Sequence, residues 1–252
     1  MEGAADPAPG AKQRTPLFIV ASPRPQVGKT FVARLLTDFL RLDDGDAVAF
    51  DLNPDGEALR DFLPKVASTA DLSDVRQQMA LFDCLIVADG IAKVIDLGTG
   101  WFERFFAIME EIGFVPEACR RSIEPMILFA ADPHPASAKA YGDLRSRFPA
   151  AIVVPVFNEA ILQGRKLRDQ FKFDRAASVP LQIPMLAPAL KSFADKSAYS
   201  FADFHSLLPS GVPLGPAFEL RTWTKRTFLE FRELELRLLL EKLRAALPGV
   251  EL

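Results

Sequence analysis

The chain has 252 residues, of which 49% are hydrophobic, so it is long and apolar enough to bury one sizeable core. Its formal net charge of −3 gives no overall attraction to nucleic acid or anionic lipid, and contact with either would need a local basic patch. The two cysteines, Cys84 and Cys119, lie far apart and form no CxxC pair, which argues against a disulfide framework and predicts core positions in a cytoplasmic protein.

The first predicted elements are a strand, a helix and a second strand. Residues 1–14 carry no periodic apolar pattern and are predicted to be a disordered tail. An uninterrupted apolar run over 17–21 predicts a central parallel strand that is covered on both faces. Residues 30–42 show an amphipathic helical pattern, and the strand predicted over 47–51 ends in a carboxylate.

The same alternation continues through the middle of the chain. Helices are predicted over 75–87, 102–112 and 135–148, and strands over 93–98, 125–130, 151–156 and 179–183. This order predicts a three-layer α/β fold with a doubly wound, mostly parallel sheet between two layers of helices. Ligands of such sheets bind beyond the C-terminal ends of the strands.

The C-terminal part of the chain differs in composition. Proline-rich residues 180–216 predict an extended segment with short helices, and 217–247 predict one long helix. Apolar residues follow two sides of this helix, which predicts that it buries both, against the domain or a partner subunit. Contact of Arg221, Lys225 and Arg226 with DNA or a membrane surface is an alternative that the interspersed acidic residues disfavour.

The segment ASPRPQVGKTFVARLL, residues 21–36, joins the first strand to the first helix. In a phosphate-binding loop, successive backbone amides and a helix N-terminus converge on phosphate, a lysine reaches the phosphates, and a hydroxyl binds Mg²⁺. Here Pro23 replaces a glycine and Pro25 has no N–H to give. The chain still predicts phosphate binding at the contiguous residues Gln26, Val27, Gly28, Lys29, Thr30 and Phe31. The alternative is a strand, turn and helix in which GKT occurs by chance.

This loop resembles that of the deviant-Walker P-loop ATPases related to ParA and MinD. RPQVGKT aligns with the family pattern K-G-G-x-G-K-T and places Arg24 where a lysine reaches the partner's nucleotide across a dimer. AFDLNP resembles the family's D-x-D-P motif, with Asp51 as the first acid and Asn53 in place of the second. KVIDLG places Asp96 at the acid that holds Mg²⁺ through water.

Two further motifs extend the resemblance to about residues 17 to 184. VVPVFNEA places Asn158 at an asparagine that reads adenine, and an Ile-Pro dipeptide places Pro184 near the base. The resemblance divides the chain into a tail (1–14), a P-loop NTPase domain (15–216) and a C-terminal helix (217–252).

The resemblance implies an ATP-binding switch that uses Mg²⁺, dimerises with ATP, hydrolyses it slowly and positions a cellular cargo. It implies catalytic roles for Lys29, Arg24, Asp51 and Asn53, and a metal site of Thr30, Asp51 and Asp96. An asparagine at position 53 can orient a water molecule but cannot accept a proton, which predicts slow hydrolysis. The cargo or activating protein is not predictable from the sequence.

Other interpretations of the same residues stay open. The strand-end acids Asp51 and Asp96 could cap turns, Asn158 could begin a helix as its N-cap, and Arg24 could be a solvated loop charge. QVGKT is also close to the E-V-G-K-T loop of dethiobiotin synthetase and related ligases, which use ATP to activate a carboxylate or carbamate. DLNPDG lacks the substrate-binding lysine of those enzymes. A third alternative is a degenerate nucleotide-binding scaffold without turnover.

Overall fold

We describe the protein from a computed structural model that defines residues 14–42, 45–53, 59–165, 171, 179–196, 198–202 and 213–246. The predicted tail, apart from Arg14, lies outside these residues. The sequence NPDG at 53–56 is typical of a turn, and it too lies outside the described residues from residue 54 onward.

Seven parallel strands form one sheet with the order β3-β2-β4-β1-β5-β6-β7. The strands are β1 (Thr15–Ala21), β2 (Ala47–Leu52), β3 (Ala67–Thr69), β4 (Ala92–Leu97), β5 (Ile123–Ala130), β6 (Ile152–Asn158) and β7 (Leu181–Ile183). The central strands β1, β4 and β5 are buried along nearly their whole length and are mostly apolar because helices cover both faces of the sheet. The sequence prediction of a three-layer, doubly wound parallel fold is therefore confirmed.

The helices divide between the two faces of the sheet. They are α1 (Lys29–Leu40), α2 (Leu59–Phe62), α3 (Val75–Leu85), α4 (Phe102–Glu111), α5 (Phe114–Arg120), α6 (Pro135–Arg147), α7 (Glu159–Leu162), α8 (Pro188–Ala194) and α9 (Leu214–Ala246). Helices α1, α2, α8 and α9 contribute to one hydrophobic core, and α3 to α6 contribute to the other. Alternate residues of each central strand point into the two cores, as Val20 and Ile19 do in β1.

The prediction missed three short elements and placed two side chains wrongly. Strand β3 and helices α2 and α5 are too short to show a periodic apolar pattern. Cys84 and Cys119, expected in the core, are both exposed. Each belongs to a helix whose apolar positions already fill the core side, which leaves the cysteine on the outer side.

The long C-terminal helix begins three residues earlier than predicted and buries only one of its two apolar sides within the chain. Leu220, Phe231 and Leu234 belong to the core that α9 shares with α1, whereas Leu236 and Leu240 are exposed. One apolar side is thus buried within the single chain, and burial of the other side against a partner subunit stays a prediction. Among the described residues, no helix combines the length and the apolar character needed to span a bilayer.

Candidate nucleotide site

A cavity of about 860 Å³ opens at the C-terminal edge of the sheet, at the end of β1 and the start of α1. Its lining includes eight of the predicted site residues: Gln26, Gly28, Lys29, Thr30, Phe31, Asn53, Asn158 and Pro184. The side chain of Val27 is instead buried in the protein, so only its backbone could face a ligand. The cavity therefore joins the predicted phosphate loop to residues of β6 and of the segment after β7 that are more than 120 positions away in sequence.

The loop before α1 contains two residues with left-handed backbone conformations. Gln26 and Gly28 have positive φ angles of 57° and 85°, and residues of this kind alternate with right-handed ones in anion-binding nests. Among the described residues, none accepts a hydrogen bond from the backbone N–H of Gln26, Val27 or Gly28. Gly28 is also the N-cap of α1 and provides no side-chain cap. The loop thus combines unpaired N–H groups with a helix N-terminus, and its residues Gln26 and Gly28 line the cavity.

Gly28 meets two structural requirements at once. Its left-handed backbone is one that residues with a Cβ rarely adopt. A Cβ at this position would also lie 2.6 Å from Nδ2 of Asn158. The loop and the end of β6 therefore approach each other closely only because residue 28 has no side chain.

The ammonium group of Lys29 is held inside the loop. Lys29 Nζ donates hydrogen bonds to the carbonyl oxygen of Arg24, at 3.0 Å, and to Oγ1 of Thr99, at 2.8 Å. The Thr99 hydroxyl donates in turn to the same Arg24 carbonyl, at 3.2 Å. Burial lowers the pKa of Lys29, and the nearby Asp96 carboxylate opposes that effect. An anion bound at this loop would compete with the Arg24 carbonyl and Thr99 for the hydrogen bonds that the lysine donates.

Two buried carboxylates lie beneath this lysine. Asp51 and Asp96 are partners in the register of β2 and β4, so their side chains leave the same face of the sheet. Asp51 accepts hydrogen bonds from the backbone N–H groups of Asn53, at 3.0 Å, and Arg60, at 3.3 Å. Asp96 is fully buried, and neither of its carboxylate oxygens accepts a hydrogen bond of good geometry from a described residue.

Burial of Asp96 has a large effect on its ionisation. The pKa of Asp96 is raised to about 7, because burial, together with the charge of Asp51, outweighs the opposing effects of the Thr30 hydroxyl and of Lys29. Burial also raises the pKa of Asp51, against the hydrogen bonds that it accepts. A buried carboxylate that lacks hydrogen-bond partners costs folding free energy in its charged form, unless a cation binds it or a proton neutralises it.

The chemistry of these donors fits Mg²⁺. Magnesium in nucleotide sites takes one or two carboxylates, hydroxyl or water oxygens, and phosphate oxygens. Asp96, Asp51 and Thr30 supply such oxygens next to a loop suited to phosphate. Within the described residues no group of three or more His, Cys, Asp or Glu side chains could hold a metal by itself, so binding would depend on the phosphates.

Arg24 forms an ion pair within its own chain. Its Nε lies 3.1 Å from Oδ2 of Asp132. Asp132 is the second residue after the end of β5. The Arg24 side chain is partly exposed, whereas the Asp132 side chain is mostly covered. Arg24 is thus a partly exposed loop charge that pairs within its own chain, and a role across a dimer would require Arg24 to leave Asp132.

The far side of the cavity is formed by the ends of β6 and β7. Asn158 is nearly buried, and its Oδ1 accepts a hydrogen bond from the backbone N–H of Ala160, at 3.1 Å. The alternative role of Asn158 as an N-cap is thus present, in α7, while its Nδ2 faces Gly28. Pro184 lines the cavity and its carbonyl accepts a hydrogen bond from Nε1 of Trp223 in α9, at 3.2 Å.

The sequence analysis overlooked three residues that shape this site. Thr99 bridges Lys29 and Arg24, Asp132 pairs with Arg24, and Arg34 lines the cavity from the buried side of α1. Thr99 and Asp132 follow the strands β4 and β5 by two residues each, so their position after a strand was a usable signal. Arg34 carried no such signal because it stands in the middle of an apolar helix pattern.

Comparison with known proteins adds no family assignment: no protein-family model matches the chain, and no curated protein matches it. The fold is a seven-stranded, all-parallel sheet between helices, which is consistent with a P-loop-like, three-layer parallel sheet fold.

Proposed function

We propose that this protein is a ParA/MinD-like, ATP- and Mg²⁺-binding switch that dimerises with ATP, hydrolyses it slowly and positions a cellular cargo in the cytoplasm. One observation carries the proposal. The fully buried Asp96 carboxylate, short of hydrogen-bond partners, lies beside Lys29 and Thr30 at the foot of a loop with free backbone N–H groups. A metal-bound triphosphate would provide a charge partner for the acid and acceptors for the loop.

Each group of the site has a task in phosphoryl transfer. The loop amides and the N-terminus of α1 would bind the phosphate oxygens, and Lys29 would exchange the Arg24 carbonyl and Thr99 for them. Bound Mg²⁺, held by Thr30 and by Asp96 and Asp51, would neutralise charge on the phosphates. The proline-stiffened loop lowers the ordering cost of binding because it has little freedom to lose.

The groups around Asp51 explain why hydrolysis would be slow. Asn53 lines the cavity and can orient a water molecule, but its amide cannot take a proton from it. Asp51 is engaged by backbone N–H groups of Asn53 and Arg60, which fixes the carboxylate in place. Arg24 is paired with Asp132 of its own chain. Turnover would therefore need a rearrangement that frees Arg24, from a partner subunit or an activating protein.

The test is a thermal melt and a calorimetric titration with ATP, with and without Mg²⁺. At 100 times its dissociation constant, ATP with Mg²⁺ should stabilise the protein by about 2.7 kcal/mol. The variant Lys29→Ala should lose most of this gain, whereas Lys139→Ala, which removes an exposed lysine on α6, should retain it. No stabilisation and no heat with the unaltered protein would contradict the proposal.

The oligomeric state and the rate of phosphate release separate the alternatives. Binding with ATP-dependent dimerisation supports the switch, and binding without dimerisation or turnover supports a scaffold. ATP consumption that needs a carboxylate or amine co-substrate supports a ligase similar to dethiobiotin synthetase.

A further inference from the structure

The second apolar side of α9 is exposed along the C-terminal half of the helix. Five leucines form it, and we call them the leucine stripe: Leu229, Leu236, Leu239, Leu240 and Leu243. Each is between 43% and 67% exposed, although leucine side chains are among those most often buried. Clusters of exposed apolar residues on one face mark interaction surfaces, whereas single exposed leucines do not.

The opposite side of α9 fixes the direction in which the stripe faces. Leu234 and Leu238 are buried in the core that α9 shares with α1. Arg237 donates a hydrogen bond to the carbonyl oxygen of Val179, at 3.0 Å, and Lys242 pairs with Glu124 of β5, at 2.5 Å. The helix is therefore anchored as far as residue 242, and the stripe cannot turn inward without breaking these contacts.

The spacing of the stripe is that of a helix that pairs with another helix. Leu229, Leu236 and Leu243 are seven residues apart, and Leu239 and Leu240 fill the intervening turn. A seven-residue apolar repeat keeps the same seam facing a partner helix in left-handed helix pairs. The stripe covers 14 residue steps, or about 21 Å of helix.

The charges around the stripe favour a partner with the same mixture of charges. Residues 229–246 contain four acidic side chains, Glu230, Glu233, Glu235 and Glu241, and four basic ones, Arg232, Arg237, Lys242 and Arg244. Their sum of zero gives no attraction to an anionic membrane or to nucleic acid. A second copy of the helix offers both the apolar seam and the same interspersed charges.

We propose that the leucine stripe binds the leucine stripe of a second copy of this chain and forms a homodimer without nucleotide. A two-fold interface of this kind uses the same patch on both subunits, which a self-complementary stripe satisfies. The helix is already formed and anchored, so pairing costs little ordering. This interface lies on α9, away from the residues that line the nucleotide cavity, and it goes beyond the proposed function.

The experiment measures molar mass in solution without nucleotide over a range of concentrations. The unaltered protein should approach twice its chain mass of 27.8 kDa. Leu236→Glu should weaken the dimer about 100-fold, since it places a charge in the apolar seam. Met79→Glu, which changes an equally exposed residue on α3, should leave the dimer unchanged. Both variants should keep the circular dichroism spectrum of the parent.

The variant Lys29→Ala separates this dimer from the nucleotide-dependent one. The stripe dimer should persist in Lys29→Ala, and Leu236→Glu should still bind ATP. A monomer at all concentrations, or a dimer that survives Leu236→Glu, overturns the proposal. So does binding of the unaltered protein to phosphatidylglycerol vesicles that Leu236→Glu abolishes, because the stripe would then serve a lipid surface.

Discussion

Gly28 shows at the scale of one residue why the loop depends on a missing side chain. Its φ is +85°, and a Cβ would meet the nearly buried amide of Asn158. Asn158 cannot easily move away because its Oδ1 caps α7. The two requirements act at the same position, so the tolerance for substitution is low.

Replacement of Gly28 by alanine should destabilise the protein by about 1–3 kcal/mol, since a left-handed alanine is strained and its Cβ displaces Asn158. The same change should weaken nucleotide binding, because the loop and the end of β6 both line the cavity. The control is Gly142→Ala in α6, where a Cβ meets no atom within 4 Å. Urea unfolding of both variants checks this, and equal stabilities would contradict it.

The environment of Asp96 predicts that one substitution will raise the stability of the protein and weaken its Mg²⁺-dependent ATP binding. Burial raises its pKa to about 7, so the unliganded protein bears a carboxyl group that is costly to ionise. We expect Asp96→Asn to stabilise the unliganded protein at about pH 8 by on the order of 1–3 kcal/mol, because no charge is then buried. The same variant should lose the Mg²⁺-dependent part of ATP binding. Melting curves with and without ATP and Mg²⁺ measure both effects, and a variant less stable than its parent would count against this account.

At the scale of elements, α1 links the loop to the C-terminal part of the chain. Arg34 of α1 donates hydrogen bonds to the carbonyl oxygens of Ala194 and Tyr199, each at 2.6 Å. One turn later, Asp38 accepts from the backbone N–H of Phe201, at 2.6 Å, and from the hydroxyl of Ser200, at 2.9 Å. The helix that begins at the candidate phosphate loop therefore also holds the end of α8 and residues 199–201 after it.

The burial of Asp38 beneath these hydrogen bonds predicts that the stability of the protein depends on pH. Burial raises the pKa of Asp38 to about 6, and the hydrogen bonds from Phe201 and Ser200 lower it only in part. The unfolded chain keeps the ordinary value of 3.8, so the folded protein binds more protons between these values. The free energy of unfolding should thus fall as pH rises through this window, by at most about 1.4 kcal/mol per pH unit, and stay level above it for this group.

The variant Asp38→Asn isolates this contribution because it cannot titrate. The stability of the parent minus that of Asp38→Asn should decrease from about pH 4 to about pH 6 and then remain constant. Urea unfolding at several pH values measures the difference. A difference that does not vary with pH would show that Asp38 is not buried as described.

At the scale of the whole molecule, a hydrophobic core covers each face of the sheet, and α9 contributes side chains to one of the two cores. Phe231 stacks on Phe39 of α1 with ring centroids 5.3 Å apart, and Trp223 contacts Phe31 at 5.8 Å. Trp223 also donates to the Pro184 carbonyl at the cavity. The C-terminal helix is therefore an integral part of the core around the candidate site and not a detachable extension.

Two phenylalanines on α9 test this arrangement. Phe231→Ala should cost about 3–5 kcal/mol because the ring is almost fully buried and leaves a cavity. Phe218→Ala, on the same helix but 71% exposed, should change the stability by less than about 0.5 kcal/mol. Comparable losses for both variants, measured by denaturant unfolding, would mean that α9 does not pack as described.

The alternation of strands and helices could be predicted because it is written in local apolar periodicity. The acids at the ends of β2 and β4 could be predicted for a related reason: parallel strands bring their C-terminal ends to one edge. The positions of Thr99 and Asp132 after a strand could mark them as candidates, but their contacts with Lys29 and Arg24 could not be predicted, because a single polar residue after a strand does not indicate its partner. The exposed cysteines show the same limit, since which side of a helix faces the core depends on how the helix packs.

The sequence by itself determined the parallel three-layer architecture and the position of the loop between β1 and α1, because both follow from patterns within about 20 neighbouring residues. Only the tertiary structure decided that Arg24 pairs with Asp132, that Asn158 faces Gly28, and that one apolar side of α9 stays exposed. The reason is physical. The partners of Arg24 and Gly28 are more than 100 residues away, and only the packing of the sheet and its helices brings them within contact.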